Sequence, residues 1–147
     1  MFTGKKLDMS RYVESLEIWE TEVIVPKCIV IQKVNLDNEG IKIFFRESGS
    51  KANEYVLTFK NFLGYRCFDE GDRLKLQAEW SHILTMSSIF YSKNSQFLEW
   101  AIGESYEIRE KSKLTHFIIG CSNWLVDVLT FEEPTLQSND SSLNNLN

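Results

Sequence analysis

Glycine-rich loops, cysteine pairs and histidine clusters are all missing from this chain of 147 residues, and each absence removes a class of chemistry. The seven glycines are scattered with no Gly-x-Gly, so no phosphate-cradling loop is present. The two histidines, His82 and His116, lack the His-x-x-x-His or Glu-x-x-His spacing that sets metal ligands on one helix face. Asp69, Glu70 and Asp72 surround Gly71, but the acidic twelfth position of a calcium loop is absent and a solvated turn is the simpler reading. No metal or other cofactor is expected. Cys28, Cys67 and Cys121 are odd in number, far apart and form no Cys-x-x-Cys pair. Each sits in an apolar, strand-like run where a thiol acts as a small hydrophobe, which points to a reducing cytosol. The first eight residues hold no apolar core of a secretory signal. No uninterrupted apolar run approaches the roughly 20 residues of a membrane helix. A cytoplasmic protein with no membrane partner is the expectation.

Excess positive charge is lacking as well. The chain carries 16 Lys and Arg against 21 Asp and Glu, a net charge of -5. Such a surface suits a basic protein partner better than nucleic acid or an anionic membrane, and it leaves the oligomeric state open.

Core-forming residues are plentiful. Hydrophobic residues make up 43% of the chain and aromatic residues 13%, enough for one globular domain over residues 1–134. Beyond Pro134 the sequence turns to Ser, Asn and Leu without periodicity, so 135–147 reads as a polar tail. Residues 10–25 mix two periods, and we expect a short helix, capped by Ser10, giving way to a strand that ends at Pro26. Residues 28–34 and 41–46 are β-branched runs separated by the turn formers Asp37-Asn38-Glu39-Gly40. Residues 55–60 alternate, with Tyr55, Leu57 and Phe59 on one side, and 62–68 form a further strand. Short connections make these strands an antiparallel meander. Residues 73–91 read as strand or turn.

Residues 94–108 are the best helix. Asn94 or Ser95 can cap it, without a capping box, and at about 100° per residue Phe97, Leu98, Ala101, Ile102 and Ser105 share a stripe. Trp100 falls off that stripe beside Glu104, one turn later. The densest apolar run, 115–130, reads as a hairpin turning at Ser122-Asn123, with Phe117, Ile119, Cys121, Trp124, Val126 and Val128 on one core-facing side. His116, Ile118, Gly120, Leu125, Asp127 and Leu129 take the other. The expected fold is therefore α+β: a mostly antiparallel sheet, made of a meander and a C-terminal hairpin, with one principal helix on a face.

Three sets of residues invite functional readings. His116 and Asp127 are diagonal neighbours about 7–8 Å apart at the backbone, and an Asp orienting a His is half of a hydrolytic or metal site. The simpler reading is a buried hydrogen-bonded pair, since no Ser or Cys nucleophile in a tight turn accompanies it and Cys121 points to the opposite face. Glu14, Glu17 and Glu20 could form an acidic docking surface, or only the wet side of an element. Trp100 with Glu104 could anchor a partner, although the simpler reading is that a loop or the N-terminal segment covers the ring.

Three segments carry a resemblance. They are Phe62-Leu63-Gly64-Tyr65-Arg66 with Asp69-Glu70-Gly71, then Asn94-Ser95-Gln96-Phe97-Leu98-Glu99-Trp100 on to Glu104-Ser105. The third runs from Thr115-His116-Phe117 through Asp127-Val128-Leu129 to Glu133-Pro134. Together they resemble a loose group of small bacterial proteins, some of them similar to immunity partners of polymorphic toxins. The resemblance assigns no catalytic residue and implies a cytoplasmic, non-enzymatic binder. On this combined footing we expect a protein-binding module that occludes a basic partner. The alternative is a small-molecule binder or modest hydrolase using His116 and Asp127.

Overall fold

The computed structural model describes residues 13, 15–51, 53–69, 71, 73–105, 108 and 110–140. In chain order the strands are β1 (Glu17–Ile18), β2 (Ile29–Asp37), β3 (Gly40–Glu47), β4 (Asn53–Phe59) and β5 (Phe62–Asp69). Helix α1 (Leu74–Leu84), β6 (Ile89–Ser92) and helix α2 (Gln96–Glu104) follow, then β7 (Thr115–Gly120), β8 (Trp124–Thr130) and β9 (Thr135–Asp140). The fold is α+β, and every paired strand is antiparallel.

The β7–β8 hairpin forms in the register that its alternation dictates, with Phe117 opposite Val128 and Ile119 opposite Val126. Both of its faces are buried. Phe117, Ile119, Val126 and Val128 meet Ile29, Ile41, Ile43, Phe45, Leu57 and Phe59 of a second sheet in the main core. Trp124 departs from the expected core face and is 44% exposed. It stands at the hairpin tip opposite Asp69, where edge strand β5 also ends, so no strand among the described residues continues the layer over its ring. A glycine is needed just before the turn: Gly120 has φ of 140°, and a Cβ there would collide with the Trp124 carbonyl oxygen.

The strands divide into two sheets, ordered β1-β6-β7-β8-β5 and β2-β3-β4-β9. The expected meander holds for β2, β3 and β4, and then the chain crosses. After Asn61, β5 carries a bulge between Phe62 and Gly64 and pairs with β8 in the other sheet. The Asn61 carbonyl receives the Phe131 N–H and the Thr130 hydroxyl at that corner. Residues 135–140, expected in a polar tail, instead form β9 against β4. Leu136 packs against the core between polar neighbours, too few apolar residues for alternation to show. Residues 141–147 lie outside the described residues.

Helices cover the outer face of the five-stranded sheet. Residues 73–91, expected as strand or turn, contain α1, whose Leu76, Trp80, Ile83 and Leu84 pack on Phe90, Ile118 and Leu125. A kink at Trp80, with φ of -128° and ψ of 21°, breaks the helical period that the residues would otherwise show. Helix α2 begins after Ser95, as expected, and buries Phe97, Leu98 and Ala101 against Leu114 and Leu129. The helix expected early in 10–25 is absent from the described part. There β1 pairs with β6, Val13 bridges Ser95, and Leu16 and Trp19 are buried. Ser10 lies outside the described residues. Among the described residues no helix is long and apolar enough to cross a membrane.

Candidate functional site: a buried ionic knot beneath an aromatic cleft

Strand β8 is apolar on both sides except at Asp127 and its last residue, Thr130, and a lone carboxylate in such surroundings needs partners or it would protonate. It has several. Cross-strand from it on β5 lies Arg66, whose Nε–H donates to Oδ2 at 3.0 Å. Arg73, at the start of α1, grips both carboxylate oxygens. On β7, His116 Nε2 meets Oδ1 at 2.6 Å, confirming the diagonal pair, and its Nδ1 lies 2.7 Å from the Ser95 hydroxyl. Ser95 in turn accepts the Leu98 N–H as the cap of α2. Burial alone would raise the Asp127 pKa, but the His116 hydrogen bond and charge, then Arg73 and Arg66, hold it well below the usual carboxylate range.

The carboxylate beside Nε2 keeps a proton on that nitrogen, and Nδ1 on the other side of the ring is hydrogen-bonded to the Ser95 hydroxyl. One hydrogen-bonded chain then links the Leu98 N–H, Ser95, His116 and Asp127. Its connectivity is that of a Ser-His-Asp triad, yet the chemistry of one is blocked. His116 and Asp127 are 0% exposed, Ser95 is 2% exposed, and the Ser95 oxygen is committed to capping. What the knot does is positional. It fastens the start of α1 through Arg73 and the start of α2 through Ser95 to the middle of the sheet.

That fastening shapes the surface above it. Between α2 and β5 lies a cleft of about 650 Å³, lined chiefly by Leu63, Tyr65, Phe97, Trp100, Ala101 and Leu129, with Arg66 and Glu104 as its charged groups. The Arg66 guanidinium lies 4.1 Å from the centre of the Phe97 ring, which stacks on Trp100 at 6.1 Å and 21°. Trp100 is 62% exposed, so no described segment covers it. Trp100 and Glu104 are thus brought together as their spacing implies. Glu17 and Glu20 are not with them. Glu17 sits on β1, the opposite edge of the sheet, and receives the Tyr91 hydroxyl, which together with burial pushes the Tyr91 pKa up. Four strand intervals of about 4.8 Å separate the two edges, roughly 19 Å. Glu20 is exposed near β1, and Glu14 lies outside the described residues.

Sequence reasoning missed Arg66, Arg73 and Ser95 as members of the knot. The available signal was Asp127 itself, a charge within Trp-Leu-Val-Asp-Val-Leu-Thr, and Arg66, the lone cation of β5. Cys28 and Cys121, expected as free thiols, form a disulfide, which leaves Cys67 free and exposed. Among the described residues no three His, Cys, Asp or Glu side chains gather as metal ligands would. Asp69 instead accepts the Gly71 N–H in a turn, while Glu70 and Asp72 lie outside the described residues. In comparisons with known proteins, no family model, curated protein or solved structure matches this chain.

Proposed function

We propose that this protein is a non-enzymatic protein-binding module of the acidic, immunity type, and that the α2–β5 cleft is where it meets its partner. The observation that carries this reading is Trp100: a large ring left in the open, over an apolar cleft, on a helix held rigidly from below. Exposed tryptophans in apolar surroundings are enriched among residues that anchor partners. The triad-like knot supports the same reading from the other side, because its hydroxyl and imidazole have no route to a substrate. A net charge of -5 favours a basic partner and speeds encounter with one. The disulfide favours an oxidising compartment over the cytosol expected from the thiol count.

Co-expression with the products of adjacent genes tests the proposal. A stable complex that weakens with salt and is lost in Trp100→Ala is expected. A monomer at every salt concentration counts against it. A second reading, a small apolar ligand, is favoured by the cleft volume, which falls in the range of about 300–1,000 Å³ typical of ligand sites. Saturable binding of an apolar fluorescent dye, abolished by Trp100→Ala, supports it; no binding removes it.

A further inference from the structure

We infer that the cleft recognises an arginine side chain of the partner, laid flat on Trp100 and paired with Glu104. The inference rests on the reading of the cleft as a protein-docking surface and adds the residue that it selects. Arg66, Phe97 and Trp100 form a ladder of one guanidinium and two rings, and the ladder stops at the exposed ring of Trp100. An aromatic face attracts a cation, and a planar guanidinium covers an indole more completely than a compact ammonium does. Glu104 stands one helical turn from Trp100 and makes no hydrogen bond or ion pair among the described residues. It is therefore available for the paired contact that a guanidinium fork makes with a carboxylate. Arg66, in the same cleft, is bonded through Nε to Asp127 and packed on Phe97. A second copy of the chain is the poorer occupant, since two molecules each of charge -5 repel.

The test is a nuclear magnetic resonance titration of the labelled full chain at low salt with the blocked peptide Gly-Arg-Gly-Arg-Gly. The same peptide carrying citrulline or lysine in place of arginine serves as comparison. The arginine peptide should move the Trp100 indole N–H and the β5 amides, the citrulline peptide should not, and lysine should bind about fivefold more weakly. Glu104→Gln should weaken the arginine peptide about fivefold and Trp100→Ala should abolish the shifts, both with unchanged spectra elsewhere because the positions are exposed. Equal shifts from arginine and citrulline peptides overturn the inference while leaving the cleft a peptide site. So does a co-expressed complex that survives both substitutions. No shift in the cleft from any peptide overturns the inference and counts against the docking reading too. A dimer that Trp100→Ala dissolves places a second copy on the cleft and overturns the inference.

Discussion

Asp127 keeps its negative charge out of water because two arginines and a histidine surround it, and those partners make its ionisation part of the fold's stability. Its folded pKa lies below the unfolded value, so folding favours the carboxylate. That contribution is complete above the unfolded value of about 4 and is lost as pH falls below it. Asp127→Asn keeps the shape and removes the charge, leaving Arg73 buried and Arg66, 29% exposed, without their shared counter-ion. Breaking a buried pair from one side costs about 3–5 kcal/mol, and urea denaturation at pH 7 should show a loss of that order. The same comparison at pH 3 should show a smaller difference, because the native carboxylate is then losing its advantage. A constant difference across that range would mean that the substitution acts through packing alone.

At the level of elements, the knot joins segments that lie far apart in the chain, and α2 depends on it at one end. Ser95→Ala removes both the acceptor of the Leu98 N–H and the hydrogen-bond partner of His116 Nδ1. A lost cap with a lost buried hydrogen bond costs about 1–2 kcal/mol, and hydrogen exchange should quicken at the first-turn amides of α2 before those of β7 and β8. The elements also show what a single sequence reveals. The β7–β8 register was legible because side chains on a strand alternate with period two, and one slip would expose the whole core face. Helical geometry likewise placed Trp100 off the core stripe, but not its exposure: a covering segment was the simpler expectation, and the ring is 62% exposed. Helix α1 was hidden by its kink at Trp80, and β9 by having Leu136 as its single inward apolar residue. The partners of Asp127 were illegible for a different reason. Arg66 and Arg73 lie 61 and 54 positions away, and only the pairing of β5 with β8 brings them near. Local periodicity carries no record of which strands become neighbours.

Across the whole molecule, the two sheets are stitched at the tip of the β7–β8 hairpin, and the disulfide is the covalent part of that seam. Asn123 exchanges hydrogen bonds with both backbone groups of Ile31, and Ser122 donates to the Ile29 carbonyl, so the turn docks on edge strand β2. Beside them Cys121 is joined to Cys28 across a sequence separation of 93. A cross-link closing so long a loop removes roughly 4–5 kcal/mol of unfolded-state freedom on the chain-entropy account, and measured values of about 2–4 kcal/mol are usual. Cys28→Ser combined with Cys121→Ser should therefore lower the unfolding free energy by about 3 kcal/mol. Peptide binding at Trp100 should remain, because the cleft lies toward the far end of β8, about 17 Å from the tip by strand rise. Alkylation with iodoacetamide under denaturing conditions should label one cysteine per chain without reductant and three with it. In the folded protein that single label, on Cys67, should go on slowly at pH 7 and faster at pH 9, since burial of the thiol, with the charge of Asp127 adding, pushes its pKa up. Three labels without reductant would mean that the seam is held by the hydrogen bonds of Ser122 and Asn123 alone, and would remove the physical argument for an oxidising compartment.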